Sequence, residues 1–271
     1  MPTYQEPLSG WAGNLYGPIG ITVGVAMGLL KALYIKPLNV ADIVPADFVV
    51  NCIISAAWDI SIDREPATYS GNKDNRIKIY NCVSGPQNPV LWEKTWKYTE
   101  TLGKSIPSKT CLWYYFFVPA PSERIYKIYI TFLHIIPAYI VDFVAMLTGR
   151  KPQLVKTYKK IHKFCDVLQY FTTRQWKFEN ENTKNLWKKL NAEDKTVFPF
   201  SMKLLNWKDY FEVCIRGVRL YIFKDPMDTL EEGKAHYRRL KIYHYSVITI
   251  VIILLIAFVY YFFKTVFNIL F

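Results

Sequence analysis

Histidine and cysteine are the residues that most often carry metal or nucleophile chemistry, and here neither set is spaced for it. His134, His162, His236 and His244 contain no His-Glu-x-x-His, the spacing that sets two imidazoles on one helix face around zinc. His134 sits in an apolar run and is expected to be a satisfied packing residue; His162 stands among lysines and is expected to face solvent. Cys52, Cys82, Cys111, Cys165 and Cys214 are odd in number, scattered, and form no Cys-x-x-Cys. They read as buried free thiols in a reducing compartment rather than a disulfide framework or a metal site. There is no Gly-x-Ser-x-Gly elbow for a serine nucleophile. No Gly-x-Gly occurs anywhere, so no turn offers backbone N–H groups to a pyrophosphate. Catalytic, cofactor-binding and metal positions are therefore all expected to be none in this chain. One small-residue stretch stands out: Gly17, Pro18, Gly20, Gly24 and Gly28. It is expected to lie beside a substrate, or else to allow only tight helix packing.

A net charge of +12 first suggests nucleic acid, but no binding motif accompanies it. Aromatics at 17% alongside 34 Lys and Arg point instead to a chain working beside an anionic membrane. At 51% hydrophobic over 271 residues, the chain can build one large domain or two small ones. The N-terminus lacks the charged and apolar regions of a signal peptide.

The strongest physical signal is Ser246 to Phe263, an uncharged run of 18 residues that nearly crosses a hydrocarbon core, with Thr265 to Phe271 able to extend it. Tyr243, Tyr245, Tyr260 and Tyr261 mark its ends as interfacial rings. Lys234, Arg238, Arg239 and Lys241 precede it and only Lys264 follows. The positive-inside rule then places the preceding chain in the cytosol, in the arrangement of a single-pass tail anchor. Ile19 to Leu30 has GxxxG spacing, but Lys31 ends it too early for a span, so a close-packed helix is expected. Ile128 to Leu147 contains His134, Pro137 and Asp142. Pro137 would kink a helix, and an intramembrane Asp without a partner is costly. A helix packed in the protein or lying on the membrane is favoured there over a second span.

Val40 to Trp58 reads as a short apolar run continuing into an amphipathic helix, with Phe48, Val49, Cys52, Ile53 and Ala56 inward and Asp47 as N-cap or first-turn acid. Ser70 to Arg76 reads as a loop, Ile77 to Gly85 as a strand and Val90 to Leu102 as a helix. One or two strands cannot complete a doubly wound sheet, so this region looks like the tail of one. From Ser122 the pattern is helical: Ile161, Phe164, Cys165 and Leu168 share a face, two similar segments follow, and Pro199, Pro226 and Gly233 punctuate the end.

NVADIVPADFVVN, IYNCVSG and PVLWEK resemble the closing segments of extended short-chain dehydrogenases. EPLSGWAGNLYGPIG resembles the segment after the catalytic region of fatty acyl-CoA reductases. FLHIIPAYIVDFVAMLTGRKPQLVKTYKKI, FTTRQWKFENENT and HYRRLKIYHY are similar to the helical "male-sterility" domain of the insect-type, alcohol-forming reductases. The resemblance covers nearly the whole chain. It implies an α/β remnant, the C-terminal end of an extended short-chain dehydrogenase Rossmann domain over 1–103. A mainly α-helical domain over 122–240 and a transmembrane helix over 246–263 would follow.

The implied activity is NADPH-dependent reduction of long-chain fatty acyl-CoA to fatty alcohol through an aldehyde. That chemistry needs a phosphate-binding turn and a Tyr-x-x-x-Lys pair to protonate the carbonyl oxygen as hydride arrives. The pairs Tyr69/Lys73, Tyr237/Lys241 and Tyr260/Lys264 occur, but none follows a nucleotide-binding unit, so no catalytic residue is carried over. The expectation is a fragment, or a shortened isoform, beginning past the active site. Expected partners are long-chain fatty acyl-CoA, the bilayer of the endoplasmic reticulum or peroxisome, and a second copy of the chain, with no nucleic acid. The competing readings are a non-catalytic membrane-anchored acyl-binding or scaffolding protein, and a sugar-nucleotide dehydrogenase relative, which would lack the helical domain.

Overall fold

The computed structural model describes residues 1–62 and 78–270. The Tyr69/Lys73 pair and the Ser70 to Arg76 loop lie outside the described residues. The chain is mostly helical with little sheet. Helix α1 (Pro18–Ala26) leads to strand β1 (Ala32–Tyr34); helices α2 (Ala46–Ile62) and α3 (Trp92–Ser105) then cross over to strand β2 (Val118–Ala120). The strands pair in parallel, Leu33 opposite Pro119, so the connection is a helical crossover. Helix α4 (Glu123–Ile130) runs through a π-turn (Thr131–Ile135) into α5 (Ile136–Leu147), and α6 (Leu154–Thr172) returns beside it. Then come α7 (Glu181–Lys189), α8 (Ala192–Val197), α9 (Trp207–Gly217) with a π-turn at its end (Val218–Ile222), and α10 (Leu230–Leu270).

A single large core cluster joins the first and later parts of the chain: Leu33, Phe48, Val90, Leu186, Phe200, Tyr210, Phe211 and Leu240 all belong to it. Helix α9 supplies much of it because Trp207, Tyr210, Phe211, Cys214 and Ile215 fall on one face at helical spacing. Its start is fixed by Asn206, whose side-chain oxygen accepts from Lys208 N at 2.9 Å and Asp209 N at 3.4 Å.

Several expectations need correcting. No strand forms over residues 78–85. The polar groups of that segment are taken by the start of α7 instead: Asn182 Nδ2 donates to Ile79 O at 2.8 Å and Thr183 Oγ1 to Asn81 O at 2.9 Å. Helix α2 is present but turned. Phe48 and Cys52 are buried as expected, whereas Ile53 is exposed with Val50, Ile54 and Trp58. The inner face carries Asp47, Asn51, Ser55 and Asp59. Asp47 is the first-turn acid of α2, as expected, and its carboxylate accepts from the N–H groups of Tyr4 (2.9 Å), Gln5 (2.8 Å) and Glu6 (3.3 Å). Asn51 Nδ2 donates to Pro199 O at 3.1 Å, and Asp59 accepts from Lys78, Tyr80 and Lys189. With Asp47, Asn51 and Asp59 satisfied in this way, the polar face can turn inward, and Ser55 Oγ is left without a partner among the described residues. Gly233 does not punctuate: it lies inside α10, where a side chain would overlap Pro107 O.

Arg219 and Asp225, almost fully buried, tie the end of α9 to the start of α10. The Arg219 guanidinium is 3.2 Å from Asp225 Oδ2 and donates to Asp225 O, Pro107 O, Pro226 O and Thr229 Oγ1. Asp225 in turn accepts from Ser108 Oγ at 2.6 Å and Lys109 N at 2.9 Å.

Candidate functional site

The GxxxG stretch forms α1, as a packed helix rather than a span, and its five small residues do not converge on one point. Gly17 stands before the helix at φ 65°, and Pro18 opens it. A side chain on Gly20 would press on Leu15 O and on the Phe164 ring at 2.9 Å; one on Gly24 would meet Leu30 at 3.2 Å. Gly28, at φ 73°, lies against Trp113 O, and only glycine meets both demands at low cost. Four of the five thus shape the helix and its packing. Pro18 alone reaches an apolar groove between α1, β1 and α3.

That groove encloses about 40 Å³ and is walled by Ile21, Val25, Leu33, Trp92, Trp96 and Phe117. Three threonines also line it, but their hydroxyls are spent on their own helices. Thr22 donates to Pro18 O at 3.2 Å, Thr95 to Leu91 O at 3.1 Å and Thr99 to Thr95 O at 3.0 Å. The wall is therefore apolar throughout, suited to a hydrocarbon segment and not to a charged group.

A dinucleotide does not fit these residues. The loop from β1 to α2 passes through Pro37 and Pro45 and contains no glycine, so no close-approach cradle follows the strand. Tyr237 accepts from Tyr115 N at 3.3 Å within the core and is a packing residue. Tyr260 and Lys264 lie on the exposed apolar part of α10. Among the described residues no group of three or more His, Cys, Asp or Glu could hold a metal. All five cysteines are free thiols. Burial raises Cys165 and Cys214 to about 12 each, so both stay protonated.

The histidine expectations divide. His134 is a fully buried, satisfied packing residue: its Nε2 accepts from Lys31 N at 2.9 Å. Its Nδ1 must then carry the proton and donate to His162 Nε2 at 3.0 Å. Tyr158 stacks on the ring at 4.8 Å and donates its hydroxyl to Leu29 O. Burial, with His162 and Lys31 nearby, pushes His134 down to about 3, so it is neutral. His162, expected in solvent, is half-buried as this partner. The two residues are 28 apart, a spacing that no local pattern announces.

Asp142 also has partners. Its carboxylate accepts from Gln153 N (3.0 Å), Leu154 N (2.9 Å) and Val155 N (2.9 Å), the open N–H groups at the start of α6. The bond from Val155 leads in holding its pKa below the usual carboxylate range, against burial, with Leu154 and Gln153 adding to it. Pro137 stands two residues after the end of the π-turn, which takes up the irregularity that its missing N–H creates.

Helix α10 divides at its middle. Tyr237 and Leu240 are buried, His236 contacts Cys111 O at 2.8 Å, and Trp113 Nε1 donates to His244 Nδ1 at 3.0 Å. Beyond Ser246 the helix is open to its surroundings, and residues 247–263 are exposed or nearly so. An 18-residue stretch of Met227–Ile269 has mean hydropathy 2.7, and the helix is long and apolar enough to cross a membrane; a stretch of Glu123–Leu147, at 1.9, passes the same test.

Residues 133–225 match the family described as "Male sterility protein". Among curated proteins the chain is 36% identical to "Fatty acyl-CoA reductase wat" of Drosophila melanogaster, over 92% of this chain and 46% of that protein. It is 33% identical to "Fatty acyl-CoA reductase 2" of Bos taurus (90% and 45%) and 31% identical to "Fatty acyl-CoA reductase 1" of Homo sapiens (93% and 47%). The chain is thus similar to fatty acyl-CoA reductases along nearly all of its own length, and it spans about half the length of the curated relatives it matches.

Proposed function

We infer that this chain works as the C-terminal portion of an alcohol-forming fatty acyl-CoA reductase. The whole protein would reduce long-chain acyl-CoA to fatty alcohol with NADPH, and the nucleotide site and proton donor would lie outside these residues. Residues 1–103 are the closing part of the extended short-chain dehydrogenase domain, 122–240 the helical domain, and 246–263 the membrane span. The observation that carries this reading is the likeness to reductases along at least 90% of the chain in each of the three relatives.

Geometry supports it in three places. The parallel pair β1 and β2, linked through α2 and α3, is the kind of unit that a larger parallel sheet repeats. The outward apolar face of α2, with Val50, Ile53, Ile54 and Trp58, suits a surface against the rest of the dehydrogenase domain. The groove beside Pro18 suits part of an acyl chain, with Gly17, Gly20, Gly24 and Gly28 setting the wall behind it. Lys234, Arg238, Arg239 and Lys241 would hold the body on the cytosolic side of an endoplasmic reticulum or peroxisomal membrane.

The test uses this chain joined to the remaining length of a relative. A palmitoyl-CoA carrying a photoreactive diazirine on its acyl chain should label peptides of α1 and α3, and Ile21→Trp should reduce that labelling. Labelling confined to other elements would remove the groove from the substrate path.

A further inference from the structure

Helix α5 is built inside out. Its stripe Ile136, Tyr139, Ile140, Phe143, Val144 and Leu147 follows helical spacing and is exposed throughout. The opposite stripe, His134, Ala138 and Asp142, is buried against the body. In water this arrangement exposes the large apolar residues and buries the small and polar ones.

Length and composition alone would let Glu123–Leu147 cross a bilayer. Its attachment to α6 argues otherwise. The two helices run antiparallel, pinned by Asp142 to the N–H groups of 153–155 and by His134 to His162. Helix α6 carries exposed Lys156, Lys159, Lys160 and Lys163. A crossing α5 would draw these four cations into hydrocarbon, where each is costly. Arg124 and Lys127 at the other end of the apolar segment are also exposed.

The same region meets the base of the α10 span. Lys31, whose N–H bonds His134, places its ammonium 5.7 Å from the Trp113 ring centroid, and Trp113 bonds His244 just before the span begins. The buried side of α5 is therefore tied through Lys31 and Trp113 to the start of the apolar run of α10, and basic side chains border the exposed stripe.

We propose that α5 lies in the plane of the membrane, with its outer stripe sunk into the cytosolic leaflet of the bilayer that α10 crosses. The depth is that of an interfacial helix, about 5–10 Å into the headgroup and acyl boundary. The lysines of α6 lie at the anionic headgroups. The body is thus held at two places and cannot swing about a single tether. This rests on the reading of α10 as a span.

The test places the full chain in vesicles of mixed phosphatidylcholine and phosphatidylserine. Phe143→Cys, and separately Leu204→Cys on the exposed turn before α9, receive an environment-sensitive fluorophore; the parent chain, carried through the same labelling, gives the background. Lipids bearing a nitroxide near the headgroup end of the acyl chain should quench the label at Phe143 and spare the label at Leu204. Aqueous iodide should do the reverse. Iodide quenching at Phe143 would overturn the proposal. Strongest quenching by a nitroxide at the terminal methyl would mean a true crossing and would also overturn it, as would a label shielded from both, which means a protein covers the face. Failure of the chain to float with vesicles at all would instead defeat the α10 span.

Discussion

Arg219→Ala tests how the long C-terminal helix α10 is joined to the body. The guanidinium is 1% exposed and Asp225 0%, so the substitution leaves a carboxylate buried without its cation and strands the carbonyls of Pro107, Asp225 and Pro226. Breaking a buried pair from one side costs about 3–5 kcal/mol. For a body of this size each kcal/mol moves the melting temperature by about 2–4 °C, so the loss should be about 6–20 °C. The assay is a thermal melt of the full chain in detergent, read by tryptophan fluorescence. Arg219→Ala/Asp225→Asn should recover part of the loss, because the orphaned charge is then gone. A shift below about 2 °C for Arg219→Ala, or a double variant worse than the sum of the singles, would refute the assignment of a desolvated, mutually dependent pair.

Gly28→Ala should destabilise by more than about 1 kcal/mol, since φ is 73° and the methyl overlaps Trp113 O, whereas Gly103→Ala, in open space on α3, should stabilise by about 0.5–1 kcal/mol; denaturant midpoints compare them. His134 has a folded pKa of about 3 against 6.5 unfolded, so its contribution is complete above pH 6.5 and falls as the unfolded chain takes up the proton. The slope from this one site is about 1.4 kcal/mol per pH unit below 6.5, and His134→Gln should remove about one proton from the pH dependence of melting. Leu255→Arg should weaken membrane insertion by about 2.5–3.5 kcal/mol, and truncation after His244 should release the protein into the soluble fraction at carbonate pH; pelleting of the truncated form as an integral protein would mean that Glu123–Leu147 crosses.

The long apolar end of α10 is legible because an uncharged apolar run needs no tertiary context, and residues 247–263 are exposed or nearly so in the structure. Helices α3, α6 and α9 were legible from their 3.6-residue period. Strands β1 and β2 were missed because three residues each give too little alternation, and both sit beside apolar or aromatic runs. The inward face of α2 was misjudged because hydrophobicity alone orients a helix by its apolar residues. Here Asp47, Asn51 and Asp59 each find distant partners, 41 to 148 residues away for the first two, which no local pattern reveals. The same blindness hid the partners of Asp142 and His162. Gly28 and its neighbours stand out in the sequence, but the sequence does not distinguish a glycine that makes room for a ligand from one that makes room for Trp113.

The central claim is that this chain is the substrate-side and membrane-side portion of a reductase whose nucleotide chemistry lies elsewhere. The most direct measurement follows NADPH oxidation and fatty alcohol formation from a C16 acyl-CoA in detergent. It compares this chain alone with this chain fused behind the remaining length of the Drosophila relative. The account predicts no turnover above a protein-free blank for the chain alone and fatty alcohol from the fusion. Turnover by the chain alone, or a folded, membrane-inserted fusion that makes no alcohol, would contradict it.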